Sequence, residues 1–531
     1  MEKLLSNKYM KFIVGFLVSL SGAFLSFQLM IKRYDRDLIL ITMIISFFSF
    51  LYLYYKTINY VISNTKKNYL LAIFLAILGA IVFYKVYQLK GIPAKKWFKK
   101  SRIQPMRLKY FYASIISYYY LALYVGFKIR DWVKRFIKSL TSYDKKVYIV
   151  SSIIWFFIIV IAYSITKNFY TYMDRVYSLD SGWNFNYSYK SIIYTDIRHP
   201  FLNVFTFPIY AIIDFIVSLF VQGNMAVRVD AIVMQIIHSQ LFIIMAIQLR
   251  RITKNKVVPI VFLLSFSTLL FSLFFEKYQI CIFLSFIYIS DYFIYKKDNS
   301  TALICAAGCM PTSAYLGILE LFKKYSIKDK IFNCLKIINV FIVTMICTGR
   351  LYFFKYGFTE LKNTKEQYTI GDFTIKQKVI STTEMFHGVL VAPPSHIENG
   401  ENYKYNHMVG KFYTWNNVLD HFEIISIIIV LLCMIGLFIK RKDLFYRICF
   451  LWILLAIGLF VMFNWSIFES PLFSVYFSWA IIPLLVVGID YIIKLFKFNH
   501  IAFYVILLSL ITIINVATLY DACKFLWGVK L

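Results

Sequence analysis

The feature that most restricts this chain is the recurrence of apolar blocks about as long as a bilayer is thick. A helix needs roughly 20 consecutive apolar residues to cross the hydrocarbon core. Phe12–Ile31, Val147–Ile165, Phe201–Val221, Val257–Phe275, Ile337–Phe354, Ile424–Ile439 and Ile501–Tyr520 meet or approach that length. In lipid the backbone N–H and C=O groups have no water to bond, so each block must satisfy its own by forming a helix. Barrel strands would instead alternate over about ten positions, and no such alternation is present. The expected fold class is therefore all-α, a polytopic transmembrane helix bundle. About fifteen apolar segments can be marked along the chain, which predicts about eleven to fourteen crossings when some stop short. The first, near 11–31, is too long for a signal sequence and lacks a clear cleavage site, so it is expected to be an uncut anchor.

Charge content and its distribution point the same way. Only 16% of the 531 residues are charged and 60% are hydrophobic, whereas a soluble domain carries about 25% charged residues. The formal net charge of +31 would imply nucleic acid on a soluble protein. Here the excess sits in short loops: Lys90–Lys109 holds eight basic residues and no acid, and Lys440-Arg441-Lys442 is another cluster. Such loops face the cytoplasm and its anionic lipids. The expected surroundings are thus a lipid bilayer, in a multi-pass protein of the cell membrane, and nucleic acid is not an expected partner. The eight cysteines are scattered, mostly in apolar segments, and imply no disulfide framework. Cys305 and Cys309, one turn apart, have no nearby His or Cys to complete a metal site. No P-loop, GxGxxG, HExxH or paired CxxC occurs, so no metal and no cofactor are expected.

Along the chain, 1–146 reads as N-terminal membrane segments with two basic linkers, Lys90–Lys109 and Lys128–Lys146. The segment 110–129 between them must return to the same side, as a re-entrant or interfacial element. Residues 147–354 form a transmembrane core, 355–421 a large loop, and 422–531 the C-terminal transmembrane helices. Within the core, 301–322 carries Gly308, Pro311, Thr312 and Ser313, which predicts two short helices meeting at a kink. Two polar regions lack the cationic excess of a cytoplasmic loop. The loop 166–200 sets Asp174, Asp180 and Asp196 against Lys167, Arg175, Lys190 and Arg198. The loop 355–421 has seven acids and seven lysines. Both are expected on the extracytoplasmic side, and together they hold five of the seven histidines.

Four constellations can carry chemistry. In the first loop, Asp180-Ser181 precedes Asp196-Ile197-Arg198-His199-Pro200 at the start of the next helix. A carboxylate there is placed to act as a general base on a hydroxyl. An Arg-His pair at a helix start is suited to an anionic leaving group. The plainer reading is equally open: Asp180 caps a short helix and His199-Pro200 starts one. Glu276-Lys277-Tyr278 forms a polar tip between two apolar segments, where a solvated hairpin tip is the simpler account. Glu384 and His387, shortly before Pro393-Pro394, belong either to a pocket lid or to an ordinary loop. Glu469 opens Glu469-Ser470-Pro471-Leu472-Phe473-Ser474 before a late helix, where an acid also suits the helix dipole. Asp214, Asp230, Gln235, His238 and Asp291 lie inside apolar segments, and the sequence does not place them.

The order of these parts resembles the GT-C superfamily of polytopic glycosyltransferases, in particular bacterial members with an Asp-Ser … His-Pro loop. That pattern is carried here by Asp180-Ser181 and His199-Pro200, with Glu469–Ser474 similar to the acidic outer motif before a late helix. The resemblance runs from about Val147 to the end, and the four N-terminal segments are additional to it. It implies a GT-C-like bundle that takes a sugar from a polyprenyl-phosphate donor. The sugar passes to a glycan or cell-envelope acceptor on the extracytoplasmic side, with inversion and without a cofactor. It implies Asp180 as base, with Asp196 also catalytic and Asp174 a rival acid in the same loop. Arg198 and His199 would hold the donor phosphate. Ser181, Trp183, Glu276, Lys277, Glu384, His387 and Glu469 would contact substrate. A Wzy-like polysaccharide polymerase is disfavoured because 355–421 contains no arginine. A lipid or polysaccharide transporter would show internal repeats, and none is visible.

Overall fold

The computed structural model describes residues 7–30, 36–62, 72–82, 115–165, 176, 185, 189–190, 199, 201–297, 299–322, 326–347, 374–393, 395–398, 407–410, 424–459 and 470–528. Nearly all of these are helical. Among the described residues six helices are long and apolar enough to cross a membrane: Ile39–Asn59, Ser142–Ser164, Gly223–Thr253, Tyr278–Tyr295, Ser474–Leu495 and His500–Leu526. Shorter apolar helices include Leu202–Ser218, Ile424–Lys440 and Leu444–Ile457. One short antiparallel pair, Ser395–Glu398 with His407–Gly410, lies in the large late loop. The chain divides into two compact units, each assembled from separated stretches.

The first unit comprises 1–139, 188–222 and 297–362. Lys8–Met30 and Arg36–Ile62 pack along each other, and small residues let them approach: a Cβ at Gly22 would overlap the Phe50 ring, and one at Gly15 the Tyr54 ring. Ser19 and Ser26 return their hydroxyls to the carbonyls of Gly15 and Ala23, so neither buried hydroxyl goes unbonded in the apolar pair. The expected linker 128–146 is in fact helical at both ends. Ile115–Lys138 runs through Lys128, and the next helix begins at Ser142. The 301–322 segment divides as its sequence predicts. Ser300–Cys309 is capped by Asn299, whose side chain accepts from the Ala302 N–H at 3.2 Å, and the 3₁₀ stretch Pro311–Phe322 follows.

The second unit comprises 140–187, 223–296 and 363–531. Its centre is the Ser470–Leu495 helix, where 78% of the spanning window is buried. Ser142–Ser164 and His500–Leu526 bury only 17% of theirs, so they are the outer helices with apolar flanks free for lipid. Ile424–Lys440 lies unusually close to the central helix. A Cβ at Gly436 would fall on the Leu484 carbonyl oxygen, and one at Gly488 on that of Leu432. Close backbone approach through small residues is how membrane helices associate when no hydrophobic force separates them from lipid.

One end of this unit is basic and tightly knit. Asp144 is fully buried and takes Arg250 at 2.7 Å and Arg251 at 3.3 Å. Its carboxylate also accepts from the Thr141 N–H, while the Thr141 hydroxyl accepts from the Asp144 N–H, a reciprocal cap on the Ser142–Ile165 helix. Asn255 and Tyr504 both donate to Asp490, at 2.8 Å each. Lys254, Lys296 and Lys497 adopt left-handed φ of 57°, 52° and 56° one or two residues after helices that end here.

The segment 257–275, expected to be one continuous helix, is broken. It forms Val257–Leu264 and Phe266–Leu273, divided at Ser265, whose ψ of 145° is extended. Likewise 355–421 contains more than loop: Ile375–Leu390 is a helix whose last turn, from Met385 to Leu390, is buried.

Candidate functional site: a buried polar junction at a helix break

Irregular backbone inside an apolar bundle leaves carbonyls without helical partners, and each must find a donor or cost free energy. After Leu273 the second unit has such a break, ending where Tyr278–Ser290 begins. Tyr163 donates its hydroxyl to the Leu273 carbonyl at 3.3 Å. Two glutamine amides close the rest. Gln235, from Gly223–Thr253, donates Nε2 to the Phe271 and Phe274 carbonyls at 2.8 and 3.2 Å. Gln279 donates Nε2 to the same two carbonyls at 2.8 and 3.4 Å. Those bonds fix the orientation of the Gln235 amide, so its Oε1 is the atom 3.2 Å from His238 Nδ1. An amide oxygen only accepts, so His238 carries its proton on Nδ1 and keeps the lone pair on Nε2.

Glu276 and Lys277 sit in this break. They are 1% and 2% exposed, so the tip is not solvated. The Glu276 carboxylate accepts from the Lys277 N–H at 3.2 Å, and Cys281 donates its thiol to the Lys277 carbonyl. Aromatic rings cover the junction. Phe275 meets Phe185 edge-on at 5.0 Å and His238 at 5.2 Å, and Tyr278 lies 4.7 Å from Tyr476. Phe185 comes from the first loop, so part of that loop reaches the break. The Tyr278–Tyr295 span is 18 residues long, which separates Glu276-Lys277 from the basic end by about 27 Å at 1.5 Å per residue. The polar junction is therefore at the opposite end of the bundle from the lysine-rich rim.

A second clasp holds the Ser265 break. Asn515 donates Nδ2 to the carbonyls of Leu264 at 2.9 Å and Leu390 at 3.0 Å, and its Oδ1 accepts from the Ala392 N–H at 2.7 Å. Ser267 donates to the Val389 carbonyl. The helix bearing His387, itself 2% exposed, is thereby tied to the broken segment. Arg228 donates its guanidinium to the carbonyls of Tyr163 and Ser164, capping the helix from which the first loop departs.

In the first unit, His199 is buried, and its Nδ1 lies 2.6 Å from the Cys309 carbonyl, to which it must donate. Phe201 N–H bonds the Gly308 carbonyl at 2.8 Å. A Cβ at Gly308 would overlap the Phe201 ring, so this position requires glycine. His199 and Phe201 are thus pinned to the kink that divides 301–322.

Of the residues singled out in the sequence, Glu276 and Lys277 fall in one buried cluster with Gln235 and His238 of the same unit. His387 is buried in that unit, and His199 belongs to the other. Asp174, Asp180, Ser181, Trp183, Asp196, Arg198, Pro200 and Glu469 lie outside the described residues, as does the side chain of Glu384. Gln235, Gln279 and Asn515 were missed as site residues; an amide within an otherwise apolar segment is the signal each of them leaves. Among the described residues no group of three or more His, Cys, Asp or Glu could hold a metal ion. No protein-family model, curated protein or solved structure matches this chain.

Proposed function

We propose that the chain is a membrane glycosyltransferase of the GT-C kind, moving a sugar from a polyprenyl-phosphate donor to an extracytoplasmic glycan or cell-envelope acceptor. The observation that carries this reading is the burial of Glu276 and Lys277 in an unwound junction at the end of the bundle opposite its basic rim. Ionisable groups held in an apolar bundle are costly and mark function more often than structure. By the positive-inside rule that end is extracytoplasmic, where lipid-linked sugars are used. Phe185 of the loop carrying Asp180 also packs at this junction.

In the reaction, a carboxylate takes the proton of the acceptor hydroxyl as its oxygen attacks the anomeric carbon. The bond from that carbon to the phosphate oxygen breaks, and the electron pair leaves with the polyprenyl phosphate. Asp180 is the proposed base, with Asp196 also catalytic; Arg198 and His199 compensate the leaving phosphate. General-base catalysis contributes about 10²–10⁴-fold, so Asp180→Asn should lower turnover of a polyprenyl-phosphate sugar by that factor, with donor binding retained. Near-normal turnover would reject Asp180 and leave Asp196 or Glu276 as the base.

One observation favours a second reading. Discontinuous helices such as Val257–Leu264 and Phe266–Leu273 are common in transporters. Proteoliposomes holding a labelled polyprenyl-phosphate sugar separate the two. A labelled, lipid-free or acceptor-bound product supports transfer, and movement between leaflets with the sugar–phosphate bond intact supports transport.

A further inference from the structure

The C-terminal half of the Ile115–Lys138 helix, in the first unit, carries two parallel rows of side chains. Ile129, Val133 and Ile137 recur every four residues and are 40%, 37% and 60% exposed. Arg130, Lys134 and Lys138 follow them one position later, about 100° further round the helix. Lys134 and Lys138 are exposed. A third face, where the Trp132 and Phe136 rings stack 5.6 Å apart, is buried. The other half of the helix sets its roll. The Tyr119 hydroxyl donates to the Ala72 carbonyl at 2.9 Å, and the Tyr124 and Thr301 hydroxyls share a hydrogen bond of 3.3 Å. Leu123 and Phe127 pack on Leu75. The apolar row and the cationic row beside it therefore keep fixed directions.

Charge decides what covers the apolar row. Residues 128–138 hold five cations and one acid, Asp131, which Arg130 engages at 3.1 Å. If this stretch crossed the hydrocarbon core, those ionisable groups would all lie within about 16 Å of helix, at a steep cost. A second copy of this chain, docked about a two-fold axis, would set the same positive face against itself. The stretch Lys90–Lys109, with eight basic residues and no acid, would be repelled likewise. An anionic lipid surface satisfies both rows at once. The apolar row enters the boundary between headgroups and acyl chains, and the lysines meet lipid phosphates. We propose that 128–138 is an interfacial helix that binds anionic phospholipid headgroups of the cytoplasmic leaflet through Lys134 and Lys138, with Ile129, Val133 and Ile137 inserted among the chains.

The test puts a fluorescent amino acid in place of Ile137 in the full-length protein, held in nanodiscs of mixed phosphatidylcholine and phosphatidylglycerol. Quenching is read from nitroxides at the lipid headgroup, from nitroxides at the acyl-chain end, and from aqueous iodide. The same probe in place of Ile153, exposed midway along the Ser142–Ser164 span, is the deep control. At Ile137 the headgroup nitroxide should quench at least about twofold better than the chain-end one, and at Ile153 the order should reverse. At equal amounts, a headgroup nitroxide on phosphatidylglycerol should quench the Ile137 probe about fivefold better than one on phosphatidylcholine, the preference one lysine gives near an anionic surface. Lys134→Glu with Lys138→Glu should bring that ratio to about one, and Lys134→Gln with Lys138→Gln should fall between. Both lysines are exposed, and an unchanged profile at Ile153 shows the bundle intact. Strong iodide quenching at Ile137 would overturn the proposal by leaving the row in water. Chain-end quenching as strong as at Ile153 would overturn it by making the segment a crossing. Protection from iodide and from both nitroxides would place a protein surface there instead, and so reject the lipid contact. Equal quenching by the two lipids, or a ratio unmoved by both double variants, would refute the anionic headgroup.

Discussion

The amide clasp at the helix break makes a quantitative prediction through Gln235. In Gln235→Leu the Phe271 carbonyl keeps its 2.8 Å bond from Gln279, but the Phe274 carbonyl retains only the long one at 3.4 Å. His238 Nδ1–H loses its acceptor at a fully buried position. Orphaning a buried donor costs about 1–3 kcal/mol, and weakening a carbonyl bond about 0.5–1.5 kcal/mol. Hydrogen bonds between membrane helices average about 0.6 kcal/mol in double-mutant cycles, which favours the lower half of that sum. The expected loss for Gln235→Leu is therefore about 1.5–3 kcal/mol. The assay is equilibrium unfolding in mixed micelles, run as a cycle with His238→Phe. Removing both partners leaves neither orphaned, so the double variant should be less destabilised than the sum of the singles by about 1 kcal/mol or more. Additive losses would refute the Gln235–His238 bond as drawn. An unchanged Gln235→Leu protein would refute the clasp itself.

Other expectations follow from the same contacts. Asp144→Asn leaves Arg250 and Arg251 without their shared counter-charge and should cost about 3 kcal/mol in the same unfolding assay; a loss within error would show the junction to be solvent-screened. Gly488→Ala drives a methyl group into the Leu432 carbonyl, and the two helices must part at a cost of about 1–3 kcal/mol. Ser426→Ala, which introduces no such overlap, serves as the control. Arg228→Gln removes the cap on the Tyr163 and Ser164 carbonyls. It should speed proteolysis within the first loop before it affects global unfolding, and an unchanged cleavage rate would count against that role. Single cysteines placed in 166–200 and 355–421 should react with an impermeant thiol reagent from outside the cell; labelling only from the cytoplasmic side would invert the orientation.

The bundle was legible in the sequence for a physical reason. Where water is absent, backbone groups must bond within their own segment, so a long apolar block such as Ile501–Tyr520 has little choice but to be helical, and it lies within the His500–Gly528 helix. The kink at 301–322 was legible because proline and glycine act locally. The break within 257–275 was not, since no proline or glycine marks Ser265 or Phe274. What sustains those breaks is supplied from far along the chain: Gln235 and Tyr163 for one, Asn515 for the other. In the same way, Glu276-Lys277 resembles a solvated tip when only its neighbours in sequence are considered. It is buried because Phe185 and Tyr476 pack around the residues beside it. Apolar periodicity and loop charge determine, by themselves, that the chain lives in a bilayer as helices. Which of its few internal polar groups meet, and so where a site can exist, depends on partners 36 to 251 residues apart, and only the tertiary structure brings those together.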